Sequence, residues 1–126
     1  MLSRFIDKEY GPLILRLTLG LSMLISHGMP KLLDYNAKKD VFPDPLGVSS
    51  QLSLILVIFA EVVCSIFIIL GLKIRITTIP LIITMAIAAF IIHAGEPWKK
   101  QELAALYLSG FITLFFTGEG KFAVKR

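Results

Sequence analysis

Residues 49–72, SSQLSLILVIFAEVVCSIFIILGL, constrain this chain more than any other stretch. They are apolar over the roughly 20 residues that an α-helix needs to cross the hydrocarbon core of a bilayer. A single carboxylate, Glu61, interrupts them close to the middle. At a rise of 1.5 Å per residue it lies about 16 Å from the Ser50 end, near the midplane. A charged group at that depth costs at least roughly 2.5–3.5 kcal/mol on insertion scales. A chain carries such a cost where the group is paired, protonated or used, so the search for function starts from the partners of Glu61.

Three further apolar blocks lie near 12–29, 76–93 and 102–117. With 50–72 they predict an all-α fold, an integral membrane four-helix bundle with four transmembrane spans, forming one domain over 1–126. The hydrophobic share of 56% exceeds the roughly 45–50% of soluble domains, and it is gathered into these blocks. Four spans of roughly 20 residues leave only short connections. A soluble active site in an extramembrane domain is therefore not expected. The net charge of +4 is scattered over loops and ends, unlike the clustered basic face that nucleic acid requires. Cys64 is the single cysteine and lies inside the second block, so neither an internal disulfide nor dithiol chemistry is open to this chain alone. No cleavable signal is expected, because Arg4 and Lys8 balance Asp7 and Glu9 and no small-x-small site follows the first block.

Residues 1–11 read as a short amphipathic lead-in at the membrane surface, and Pro12 suits the opening turn of the first span. At about 100° per residue, Arg16, Gly20, Met23 and His27 fall within roughly 40° of one direction, with Lys31 near it. Such a stripe marks the face turned toward a bundle interior. Arg16 and Glu61 are then expected to pair, since buried charges need partners. At the opposite membrane face His27, Lys31, His93 and Glu102 stand at helix ends and at similar depth. Glu102, Ser109 and Thr113 form a second polar stripe on the fourth helix. The loop 32–48 contains Pro43, Pro45 and Gly47, which exclude a continuous helix. It reads as a solvated loop, although its length also allows a lid. A short echo links His27-Gly28-Met29-Pro30-Lys31 to His93-Ala94-Gly95-Glu96-Pro97-Trp98-Lys99.

The plain structural readings stand beside these. Lys31, Lys99 and Lys100 suit interfacial anchors whose chains snorkel to water, Trp98 suits the aromatic belt, and Cys64 suits packing. No local metal-ligand spacing is present, so no metal is expected. Arg4, Lys8, Lys73, Arg75, Lys121, Lys125 and Arg126 outnumber Lys31, Lys38, Lys39, Lys99 and Lys100 on the other side. That balance favours cytoplasmic termini.

Taken in order, LILRLTLGLSMLISHGMPKL, the Ala-Glu of FAEVVCSIFIILGLKIR and the histidine closing the third span resemble the DoxX family of small four-helix bacterial membrane proteins. The marks are Arg16, then His27, Gly28 and Lys31, then Glu61, then Leu70, Gly71 and Arg75, and finally His93. The resemblance covers roughly residues 13–122. It implies a multi-pass protein of the bacterial cytoplasmic (inner) membrane. Some members are similar to the membrane subunit of thiosulfate:quinone oxidoreductase, and others are linked to membrane-associated oxidoreductase complexes.

The combined expectation is a quinone-linked subunit of an electron-transfer system with a polar intramembrane pocket. Glu61, His27 and His93 are its expected catalytic residues, relaying protons and donating hydrogen bonds. Arg16, Lys31 and Glu102 are its expected cofactor-binding residues, with quinone as the cofactor. The expected partners are the lipid bilayer, a soluble oxidoreductase and further copies of the chain. Two rival readings stay open: a non-catalytic scaffold that recruits a soluble oxidoreductase through the 32–48 loop, and a small proton-coupled transporter.

Overall fold

A computed structural model describes residues 7–124; residues 1–6, the start of the surface lead-in, lie outside the described residues, as do 125–126. The fold is all-helical. Helix α1 spans Tyr10–Leu33, α3 Ser50–Leu70 and α4 Ile74–Ile92, with 24, 21 and 19 residues. Their lengths of about 29–36 Å match a hydrocarbon core of about 30 Å, and all three are apolar enough to cross a membrane. Helix α2 is the short Tyr35–Lys38 segment, and α5 runs over the 20 residues Trp98–Thr117. α5 packs along α4 and α1, but its opening WKKQE leaves it more polar than the other three. Of the four expected spans, three thus meet the requirement by length and composition.

α1 does not stop at Met29 as expected but continues through Pro30 to Leu33. The turn Leu24–Gly28 is π-helical, and the Met29 N–H reaches back to the Leu24 carbonyl. Pro30 follows directly, and the widened turn absorbs its missing donor without breaking the helix.

At the other end of the bundle, α3 and α4 join through Gly71 and Lys73, both at positive φ (79° and 51°). The Leu72 N–H donates to the Phe67 carbonyl at 2.8 Å and the Gly71 N–H to Ile68 at 3.1 Å, a Schellman closure that suits glycine. Arg16, only 2% exposed, completes this end. Its Nε donates to the Ile68 carbonyl and its Nη2 to Ile69, both at 3.1 Å, while Nη1 donates to Glu119 at 2.9 Å and to Phe122. The Val124 N–H closes on the Leu70 carbonyl at 2.9 Å. Every one of the last four carbonyls of α3 therefore has a donor in a place where lipid offers none.

This overturns the expected Arg16–Glu61 pair. Ile68 and Ile69 lie about 10–12 Å along α3 from Glu61. Arg16 stands under two turns into α1, so its guanidinium meets the helix end first. A cation there is favoured by the helix dipole.

The tail is clasped from outside as well. Phe122 stacks on Tyr10 at 5.2 Å, the Lys121 ammonium meets Asp7 at 2.7 Å, and the Lys121 N–H donates to Glu9 at 2.9 Å. The Lys121 hydrogen bond holds the Asp7 carboxyl below its ordinary range, and Asp7 in turn raises the Lys121 ammonium. The pair is water-exposed, so salt screens it.

The core lies between the four long helices, around Met23, Cys64, Leu81, Phe111 and Leu114. α5 turns Ala104, Tyr107, Phe111 and Leu114 inward, whereas Glu102, Ser109 and Thr113 face outward. The second polar stripe is therefore not interior. The Ser109 hydroxyl donates to the Leu106 carbonyl at 2.9 Å and the Thr113 hydroxyl to Ser109 at 2.8 Å. Hydroxyls satisfied by their own helix need no partner across the bundle.

Candidate functional site

Three π-helical turns interrupt the long helices: Leu24–Gly28 in α1, Phe59–Cys64 in α3 and Ala88–Ile92 in α4. The first holds His27 and the second Glu61, and the third closes as the His93 N–H donates to Ala88 at 3.0 Å. A π-turn widens its helix and re-aims the side chains around it, which is why such turns recur at functional sites. No residue pattern in the sequence announces them.

Glu61 is 3% exposed and its Oε1 accepts from the Lys31 ammonium at 2.8 Å. Lys31 also donates to the His27 carbonyl, one turn earlier, at 3.2 Å. The partner that depth arithmetic sought in Arg16 is Lys31, which shares the α1 stripe with it. What brings the pair together is the close approach of α1 and α3. A Cβ on Gly28 would stand 2.6 Å from the Glu61 carbonyl oxygen and 2.8 Å from its carbon. Only glycine lets the two backbones meet so closely.

Gly28→Ala is expected to force the helices apart, because the obstacle is backbone and not a side chain that can swing away. Overpacking of this kind costs about 1–3 kcal/mol. Unfolding in detergent should read that loss, and stability unchanged from wild type would contradict the packing described.

Around the pair lies a cavity of about 610 Å³. His27 and Lys31 line it from α1, Ser53 and Glu61 from α3, Thr84 and His93 from the α4 side, and Lys100 and Tyr107 from α5. The remaining wall is mainly apolar. The His27 ring meets Tyr107 edge-on at 5.4 Å, and Tyr107 stacks on Phe111 at 6.0 Å. At the mouth, His93 Nδ1 lies 2.9 Å from Glu96, and the Gln101 amide donates to the His93 carbonyl at 2.8 Å.

The 32–48 loop is more than solvated chain, for Phe42, Pro43, Pro45 and Leu46 lie over the cavity. Asp44 pins them. Its carboxylate accepts from the Val48 N–H at 2.9 Å, the Ser49 N–H at 2.8 Å and the Ser53 hydroxyl at 2.9 Å, at the start of α3. Desolvation opposes its ionisation, but the hydrogen bonds from Ser53, Ser49, Val48 and Gly47 outweigh it and lower its pKa.

Of the expected site residues, the fold gathers Glu61, His27, His93 and Lys31 around one cavity. Arg16 lies at the far end as a helix cap, and Glu102 points outward. Tyr107, Ser53 and Thr84 escaped the sequence reading, and Lys100, expected as an interfacial anchor, also lines the cavity. Only Tyr107 left a signal there, since a phenol within a span needs a place for its polar tip.

The chemistry left open is specific. Among the described residues, neither ring nitrogen of His27 has a hydrogen-bond partner and Glu61 Oε2 accepts none. The Lys31 ammonium uses two of its three N–H groups. A donor and acceptors thus stand together at the inner end of an apolar chamber.

Neither the curated proteins nor the solved structures contain a match to this chain. The DoxX family model matches residues 11–94, more than half of the chain, taking in Arg16, His27, Lys31, Glu61 and His93. With an all-helical fold and three apolar helices of membrane length, the protein is a membrane protein and belongs to the DoxX family.

Proposed function

We propose that this protein is the membrane subunit of an electron-transfer system and holds a quinone head group in the cavity around Glu61. The supporting observation is the adjacency of a free donor on Lys31 and free acceptors on Glu61 and His27 at the polar end of an otherwise apolar chamber. A chamber of about 610 Å³ is of the size class that holds small organic ligands, and a quinone oxygen needs such groups at its edge.

Bound there, a quinone supplies a two-electron, two-proton exchange with its quinol, the electrons passing to or from a partner oxidoreductase. Glu61 would take or return one proton at Oε2, while Lys31 fixes the carboxylate through Oε1 and has one further N–H to offer a ligand. His27 would handle the second proton, since a neutral imidazole ring carries both a donor and an acceptor nitrogen. His93, paired with Glu96 at the mouth, exchanges protons with water. Arg16 and Glu102 have no part in this reading. α5 serves as the fourth span, and both termini lie on the cytoplasmic side of a bacterial cytoplasmic membrane.

The test is the reduced-minus-oxidised ultraviolet spectrum of a solvent extract from protein purified in mild detergent. Wild type should carry near-stoichiometric quinone and folded Glu61→Gln at least about tenfold less, a difference of about 1.4 kcal/mol in binding. Quinone absent from both would sink the proposal and favour the scaffold reading.

A further inference from the structure

The cavity has two faces, and they differ in what they admit. Toward water, the apolar residues Phe42, Pro43, Pro45 and Leu46 lie across it, and three hydrogen bonds accepted by Asp44 tie that strap to the start of α3. Toward the side, the helices part. α4 packs against α3 along Phe59–Cys64 and Ser65–Leu70, whereas the first half of α3, Ser50–Ile58, leans on the end of α1 instead. The gap between Ser50–Ile58 and the second half of α4 is lined by Leu56 and Phe59 on one side and Ile83 and Ile87 on the other. Leu56, Phe59 and Ile83 line the cavity and are nonetheless 48%, 48% and 53% exposed. Leu56 lies about 9 Å from the start of α3 and Ile83 about 14 Å from the end of α4, so both stand at hydrocarbon depth in spans of this length.

Resting on the reading of this cavity as a quinone site, we infer that its ligand comes sideways from the lipid phase, through the α3–α4 gap, and is a long-chain quinone whose tail stays between Leu56–Phe59 and Ile83–Ile87. The shape carries the inference. A head that satisfies Lys31, Glu61 and His27 sits at the inner end, and the lining side chains Leu56, Phe59 and Ile83, each about half exposed, open the chamber at hydrocarbon depth. A tail in that gap fills apolar space by van der Waals packing, without a transfer from water, since lipid chains are as apolar as the gap itself. A quinone without a tail leaves the gap unfilled. Ile83 is the residue that sets tail access, because its side chain lines the cavity while remaining 53% exposed on the α4 side of the gap.

The experiment compares wild type, Ile83→Trp and Glu61→Gln in mild detergent, each with a fully substituted tail-less benzoquinone and with the same ring on a long isoprenoid chain. Ile83 is half-exposed, so tryptophan is tolerated there. Ile83→Trp is expected to lower retention of the long-chain quinone at least tenfold and to leave tail-less binding within about threefold, whereas Glu61→Gln loses both. Long-chain retention unchanged in Ile83→Trp would overturn the portal while leaving the quinone reading intact. If wild type binds neither quinone, the functional reading fails and a ligand-blind measurement decides the portal. Ile87→Cys in liposomes should react with a lipid-soluble maleimide and resist a membrane-impermeant one, with Asp44→Ala admitting the latter. Labelling of Ile87→Cys by the impermeant reagent behind an intact strap would overturn lateral access.

Discussion

Replacing Glu61 by alanine is expected to remove about 3–5 kcal/mol of stability, the largest single loss in this molecule. The carboxylate is 3% exposed and the facing Lys31 side chain 19%. Truncation therefore strands an ammonium in an apolar chamber with only the His27 carbonyl to hold it. The same argument predicts rescue: adding Lys31→Met to Glu61→Ala removes the stranded charge and should return most of the loss, because well-packed apolar residues replace buried ion pairs at little cost. Unfolding in detergent of the two single variants and the double measures this, the cycle isolating the pair. Equal losses for Glu61→Ala and the double variant would mean that the pair is not what Glu61 contributes. Because neither rescue residue can exchange a proton, the double variant should be stable and empty of quinone. That combination separates the structural from the functional share of Glu61.

Arg16→Ala is expected to be nearly as damaging, by a different route. It strips donors from the Ile69, Glu119 and Phe122 carbonyls and one of two donors from Ile68. A buried carbonyl left unpaired costs about 1–3 kcal/mol, and a loss on the order of 3 kcal/mol or more follows. Arg16→Lys should recover little of it, since a point charge cannot reach carbonyls on both α3 and the tail as the planar fork does. Limited proteolysis should show the segment after Thr117 cut faster in both variants, while quinone retention in the molecules that stay folded remains near wild type. A variant that keeps its tail protected but loses quinone would place Arg16 in the site and contradict the geometry.

These contrasting outcomes arise because the two buried charges do not meet: Arg16 serves the end of α3, and Glu61 meets Lys31 near its middle. The sequence reading paired them on depth alone. Depth along a helix is legible from residue count, but which of several cations a carboxylate meets depends on where two backbones come close. That contact is decided by Gly28, whose missing Cβ allows the approach. The α5 stripe failed for a related reason. Helical periodicity shows that Glu102, Ser109 and Thr113 share a face but not which way the face turns, and hydroxyls bonded to their own helix carry no inward demand.

Sequence alone determined the membrane class, the positions of the long helices to within a few residues, and the candidacy of Glu61, His27, Lys31 and His93. These are consequences of local quantities, namely apolar run length, the energetic cost of a charge at depth and the 3.6-residue period. Only the tertiary structure decided that Lys31 holds Glu61, that Arg16 caps a helix and clasps the tail, and that the 42–46 strap lies over a chamber parted on its α3–α4 side. The Lys31–Glu61 pair depends on the backbone approach that Gly28 permits, and the Arg16 cap and the strap depend on backbone carbonyls and N–H groups that the fold brings within reach. Backbone carbonyls occur at every residue, so no one-dimensional pattern marks which of them will need a donor.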